Sequence, residues 1–204
     1  MNWDNLLGIP IGIGLAAACG FRVFVPLLIA SAAAMSGNLP LSPGFAWLGT
    51  MPAAIALGVA TVLEIGAYYV PWLDHLLDIV ATPAAVVAGM VASASVLADV
   101  PPLVRWSTAL ILGGGTAGIV QGATVLTRLK STAVTAGLAN PLVATVEVIG
   151  SIATSVLAIV IPGLVLVVVV AFCILAFRAA GRFAFGRRQA EARARQLGGV
   201  DAPR

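Results

Sequence analysis

Three ionisable side chains, Arg22, Glu64 and Glu147, stand inside long apolar stretches of this sequence. Arg22 lies in AAACGFRVFVPLL (16–28), and no other charge occurs between Asp4 and Glu64. A guanidinium or carboxylate in hydrocarbon costs about 3 kcal/mol on insertion scales, so each needs a partner, water or a ligand. Pairing is the simplest resolution: Arg22 meets Glu64 or Glu147. The carboxylate left over is then protonated, or faces water or a cation. Such a trio fixes helix register in a structural role and lines a polar pathway in a functional one; the pathway is the preferred reading.

The second chemical candidate is RLKSTAVTAGLANP (128–141), which reads as the one long polar connector. Arg128, Lys130, Ser131, Thr132 and Thr135 offer cationic and hydroxyl donors. Asn140 and Pro141 have the types of a helix cap and first helical residue. A helix N-terminus is a suitable seat for an anion or phosphate, and Glu147 follows about two turns deeper. The candidate substrate- or ion-binding set is therefore Arg22, Glu64, Glu147, Arg128, Lys130, Ser131, Thr132, Thr135 and Asn140. The plainer reading of 128–141 is a cytoplasmic loop with an ordinary helix cap.

Other residues point away from catalysis. Cys19 and Cys173 lie in separate apolar segments without a CxxC neighbour, and the single histidine, His75, cannot assemble a metal site. Asp74, His75 and Asp78 group within VPWLDHLLD (70–78), whose spacing fits a short interfacial helix. No nucleophile, base and orienting group are visible as a set, so no enzyme, cofactor or metal is expected. GGGTAG (113–118) lacks the Lys-Ser/Thr ending of a phosphate loop and reads as a site of close helix packing. Ala85, Gly89 and Ser93 form a small-residue ridge, and Gly118 and Gly122 another. Both suggest a compact bundle able to self-associate or to pack on a partner membrane protein.

The elements that must hold these residues follow from composition. Of 204 residues, 60% are hydrophobic and 9% charged, against about 25% charged in soluble domains. The natural solvent for such a chain is lipid. Six apolar segments have membrane-crossing length, 8–36, 51–70, 80–99, 103–127, 141–161 and 164–184. The expected fold is an all-α integral membrane bundle of about six transmembrane helices. The first segment is too long for one simple span and holds Pro10, Gly20 and Pro26, so it is tilted, kinked or broken. SGNLPLSPG (36–44), ADVPPLVRW (98–106) and IPG (161–163) read as turns. LAAACG has a faint likeness to a lipoprotein cleavage box, but the apolar run continues past Cys19 and residues 1–7 carry no positive charge, so cleavage is not expected.

Charge sets the orientation. Residues 1–127 carry two basic and five acidic side chains; residues 128–204 carry nine basic and three acidic. Arg178, Arg182, Arg187, Arg188, Arg193, Arg195 and Arg204 gather after the last apolar run and place that end in the cytoplasm. An even number of spans puts the N-terminus there too. The basic excess thus reads as a topology signal, with membrane lipids and not nucleic acid as the partner. The chain divides into a transmembrane domain, 1–185, and a basic, partly disordered cytoplasmic tail, 186–204.

VATVLEIG (59–66) and VATVEVIG (143–150) agree at six of eight positions, 84 residues apart. With three spans in each half, duplication would give an inverted repeat, the plan of many transporters.

The combination of GFRVFVPLL, a glutamate in the second span and RLKSTAVTAGLANPLVATVE resembles an uncharacterised family of small bacterial integral membrane proteins, classed as a domain of unknown function. The resemblance covers about residues 10–175. It implies a polytopic bundle and carries no activity; the expected location is a bacterial inner membrane. Two functions then stand: a transporter or channel for a small ion or an anionic, lipid-linked solute, and a non-transporting scaffold or accessory subunit of a larger membrane complex.

Overall fold

Apolar runs without β-branched alternation or turn signals fold here into helices. A computed structural model describes residues 3–70 and 73–178, and no strand occurs among the described residues. The elements are α1 (Trp3–Phe21), α2 (Phe24–Met35), a 3₁₀ helix (Pro43–Gly49), α3 (Met51–Ala67), α4 (Leu73–Ser95), α5 (Pro102–Thr108), a π segment (Ala109–Gly114), α6 (Gly115–Thr135) and α7 (Asn140–Val160). The last is α8 (Pro162–Arg178). Residues to Val169 form one compact unit, and a second begins at Val170. In the second, residues 170–178 continue α8 as helix. The basic tail expected at 186–204 lies outside the described residues.

The core is organised around α1. This helix is apolar on every side, which suits a buried position, and Leu15 to Cys19 are almost completely enclosed. It packs against α4, α6 and α7. Small residues set how close those helices come. A Cβ on Gly12 would lie 2.7 Å from Ser93 Oγ, on Gly14 2.6 Å from Ala158 Cβ, and on Gly20 2.5 Å from Val120 Cβ. The Ala85–Gly89–Ser93 ridge of α4 is consumed inside the unit, between α1 and the π segment: a Cβ on Gly89 would meet Ala117 Cβ at 2.6 Å, and one on Gly113 would meet Gly89 O at 2.5 Å. The glycines of GGGTAG thus allow both close approach and a local π distortion.

The outer faces are apolar. Ile55, Val59, Val62 and Leu63 on α3 and Leu142, Val146 and Ile149 on α7 are exposed, as lipid-facing side chains are. Pro102–Thr135, which runs continuously through α5, the π segment and α6, and Asn140–Val160 are each long and apolar enough to cross a membrane. The 3₁₀ helix and α3, bent by 65°, make a third candidate as one broken span. Leu7–Phe21, Phe24–Met35, Ile79–Ser95 and Pro162–Arg178 are shorter apolar helices.

Three expectations are corrected and one is made specific. The first apolar run, expected to be tilted, kinked or broken, is two helices, with the break at Arg22-Val23. Pro10 sits inside α1, while Pro26 falls in the first turn of α2, where a missing N–H costs little. The stretch 70–78 is not a separate interfacial helix, because α4 starts at Leu73 and runs unbroken to Ser95; the side chains of Asp74, His75 and Asp78 lie outside the described residues. The connector at 128–141 is mostly helix: α6 reaches Thr135, and the turn is closed by left-handed backbone at Ala136 (φ 53°) and Gly137 (φ 88°). The uncharged turn after α2 also folds further than its composition suggests. Ser42 donates its N–H to Ser95 O at 2.7 Å, and Phe45 enters a small core with Ala94 and Ala109.

Candidate functional site

Where α1 ends, Arg22 leaves the helix and turns into the bundle, 1% exposed. It donates through Nη2 to the backbone oxygen of Ala144 at 3.1 Å and pairs with Glu147 Oε2 at 3.2 Å. Glu147 occupies the inward face of α7 with Asn140, Ala144, Ser151 and Ser155, all buried and spaced three or four residues apart. One helical face therefore carries a polar stripe through an otherwise apolar helix.

Arg128 reaches the same carboxylate from α6. Its Nε donates to Glu147 Oε1 at 3.0 Å, and its Nη2 donates to Oε2. This is a side-on, bidentate grip, the geometry in which an arginine–carboxylate pair is strongest. Arg128 is 4% exposed and Glu147 5%. Two guanidiniums thus converge on one carboxylate. Both also lie over the ring of Tyr68, the residue that caps the end of α3, at 3.9 Å from Arg22 Cζ and 4.0 Å from Arg128 Cζ. Cation–π attraction offsets part of the repulsion between the two cations. Arg22 Nε and Nη1 are buried and have no hydrogen-bond acceptor among the described residues.

Glu64 has a different task. Its Oε1 accepts the N–H of Val23 at 2.7 Å and its Oε2 the N–H of Phe24 at 3.0 Å. The carboxylate from α3 closes the N-terminus of α2, where free N–H groups and the helix dipole favour negative charge. The trio is brought together, then, but not as a simple pair with a remainder: Glu147 takes the arginines and Glu64 takes the backbone. Thr61, one turn earlier on α3, is buried with its hydroxyl unpartnered among the described residues.

The remaining candidates trace a line from this cluster to the α6–α7 turn. Asn140 Nδ2 donates to Thr132 Oγ1 at 3.0 Å. Thr135 Oγ1 donates to Ser131 O at 2.7 Å and accepts the N–H of Ala139 at 3.1 Å. Asn140 is consequently the first residue of α7 and not its cap; Ala139 precedes the helix, and the amide of Asn140 is used across the turn. Lys130 is exposed on α6, and Ser131 is half-buried.

Sequence reasoning missed Tyr68, Ser151 and Thr61. Tyr68 lies four residues after Glu64, on the same helical face, and Ser151 four after Glu147; that spacing was an available signal. Ser151 donates its hydroxyl to Ala18 O at 3.1 Å, which ties α7 to α1 below the cluster. An open groove of about 580 Å³ between α2 and α7 is lined by apolar residues with Ser36 and Asn38. Its nearest α7 residue, Val156, is nine positions past Glu147, about 13 Å along the helix, so the groove is separate from the charges. Among the described residues, no group of three or more His, Cys, Asp or Glu is placed to hold a metal ion.

The family described as "Domain of unknown function (DUF4126)" matches residues 9–182. No curated protein and no solved structure matches the chain.

Proposed function

We propose, from the premise that the chain belongs to the DUF4126 family, that it is a multi-pass membrane protein that passes a small anion across the bilayer. The observation that carries this reading is the meeting of Arg22 and Arg128 on Glu147, with two Arg22 nitrogens buried and lacking an acceptor among the described residues. Intramembrane ionisable groups mark ion or substrate pathways by default. Guanidinium N–H groups left without an acceptor among the described residues suit an anion.

In this reading the broken pair α1–α2, the bent pair ending in α3, then α4, α5–α6, α7 and α8 make six crossings. The arginine excess puts both termini and the α6–α7 turn in the cytoplasm of a bacterium, at its inner membrane. The pathway runs from that turn past Thr135, Thr132 and Asn140 to Arg128, Glu147 and Arg22. A helix broken beside the site is a recurrent device in transporters, as is the inverted repeat that the matching stretches on α3 and α7 suggest.

The scaffold alternative draws no support from the α4 ridge, since that ridge packs within the unit. The deciding experiment is anion flux into proteoliposomes under an imposed potential, for the full chain and for Arg22→Ala. Flux that falls at least about tenfold in a folded Arg22→Ala variant supports the proposal. Unchanged flux in that folded variant counts against it.

A further inference from the structure

We infer that the last turn of α3, with Tyr68 and Tyr69 behind it, is the gate of this site, and that the hydroxyl bond from Tyr69 to Thr145 is its latch. The inference rests on the anion reading above and adds how the site opens. Two guanidiniums and two carboxylates, Glu64 included, make the buried set formally neutral, and Arg22, Arg128 and Glu147 are 1%, 4% and 5% exposed. The open groove between α2 and α7 lies elsewhere. The cluster is thus closed, and an ion reaches it only after something moves aside.

What moves follows from position. Glu64 meets the start of α2 through Val23 and Phe24, so Tyr68 and Tyr69, about one turn further along the chain, lie beyond the start of that helix. Tyr68 turns inward, 5% exposed, with both guanidiniums over its ring. Tyr69 turns outward, 47% exposed, and its hydroxyl lies 2.9 Å from Thr145 Oγ1 on α7. Thr145 donates its own proton to Pro141 O at 2.8 Å, so Tyr69 is the donor between the two. Thr145 stands about one turn in from the start of α7, the depth at which a tyrosine keeps its ring in apolar surroundings and its hydroxyl among polar groups. One ring covers the buried charges, then, and its neighbour fastens that cover to α7. The fastening is an exposed hydroxyl bond, for which water competes. A Cβ on Gly66, in the same turn, would meet nothing within 4 Å, so no described neighbour braces the turn on that side.

The test is the rate at which phenylglyoxal, a dicarbonyl reagent for guanidinium groups, modifies each arginine of the purified full chain in nanodiscs, read by peptide mass spectrometry. Arg105 is the internal reference, half-buried and near the opposite end of Pro102–Thr135 from Arg128. In the wild-type chain Arg22 and Arg128 are expected to react far more slowly than Arg105. Tyr69→Phe removes the donor hydroxyl and Thr145→Val the acceptor, while Thr145→Ser keeps it. A hydrogen bond of this kind moves an opening equilibrium by roughly fivefold. The rates at Arg22 and Arg128 should therefore rise by about that factor in Tyr69→Phe and in Thr145→Val, stay at the wild-type value in Thr145→Ser, and leave Arg105 unchanged. If one of the two variants does not fold, the other decides. Fast reaction of the cluster in wild type, unchanged cluster rates in a folded variant, the same rise with Thr145→Ser, or an equal rise at Arg105 overturns the inference and leaves anion flux standing. Cluster rates that rise as expected in a chain that passes no anion keep the gate and sink the transport reading alone.

Discussion

Glu64 accepts the backbone N–H of Val23 at 2.7 Å, across 41 residues of chain. That contact makes a break in the first apolar run tolerable. The chain leaves α1 at Phe21 and restarts at Phe24, and Val23, at the cap position, offers no side-chain acceptor. In an apolar surrounding the orphan N–H groups of a helix start must be satisfied by protein. GFRVF provides nothing locally, so α3 provides a carboxylate, and the negative charge complements the α2 dipole. The same break frees Arg22 to turn inward, so cap and cluster are parts of one device.

Removing the cap should therefore loosen α2 first. Charge-assisted hydrogen bonds contribute about 1.5–3 kcal/mol each, and orphaned donors add a desolvation cost. Glu64→Ala is expected to lose roughly 3 kcal/mol of stability, with Glu64→Gln losing less because one oxygen acceptor remains. Hydrogen exchange resolved by residue checks this: protection should fall at Val23 and Phe24 before it falls in α7. Uniform loss along the chain would contradict the role given to Glu64.

The three members of the cluster should not be equivalent. Removing Arg22 or Arg128 leaves the other guanidinium still paired with Glu147. Removing Glu147 leaves two cations facing each other over Tyr68. Breaking a buried pair costs about 3–5 kcal/mol through the charge left behind. Glu147→Ala is expected at or above that range and each arginine substitution below it. Thermal unfolding of the three single variants in one detergent gives the order, and an arginine variant less stable than Glu147→Ala would refute it.

Much of this is legible in the sequence alone. Arg22, Glu64 and Glu147 were singled out because charge in an apolar run demands company, and all three lie inside the unit together with Arg128. The division of labour was not legible. That Glu64 serves backbone N–H groups depends on where the first run breaks, and Pro10, Gly20 and Pro26 all looked better placed to break it than Arg22-Val23. Tertiary packing decided the point: Gly20 is held against Val120, and a proline in a first turn does not disturb a helix. The segment 128–135 departs from its loop-like composition for a related reason. Its hydroxyls and cations resemble a loop in composition, but Thr127 and Thr135 donate to carbonyls four residues back, so polar residues continue α6 instead of ending it. The ridge at Ala85, Gly89 and Ser93 was seen correctly as a close-packing surface; sequence could not say that α1 and the π segment of the same chain would fill it.

That ridge gives a contrast between glycines. A Cβ at Gly113 falls 2.5 Å from Gly89 O and 2.6 Å from Ser93 Cβ, whereas one at Gly122 meets nothing within 4 Å. Over-packing costs about 1–3 kcal/mol, while an open helical glycine changed to alanine gains about 0.5–1 kcal/mol. Gly113→Ala is expected to lower the melting temperature and Gly122→Ala to hold or raise it. Two variants that shift equally, in the same direction, would show that the α4 contact does not constrain the π segment.

The six-crossing reading is most exposed at Pro102–Thr135. At 34 residues this helix is about 51 Å long, more than a hydrocarbon core of about 30 Å requires, so its excess length must project on one side or be taken up by tilt. Asp99 precedes it on an exposed stretch, and Leu138, 86% exposed, follows it in the turn. If the helix crosses, cysteines placed at these two positions face opposite sides of the membrane. The background is suitable, because Cys19 is fully buried and Cys173 can be replaced by serine. In oriented vesicles, a membrane-impermeant maleimide is expected to label Leu138→Cys from the cytoplasmic side only and Asp99→Cys from the other side only. Labelling of both from one side would mean that Pro102–Thr135 turns back or lies along the surface. The route past Thr135, Thr132 and Asn140 would then lead out of the bundle on the same face it entered, and no anion could cross by way of Arg128.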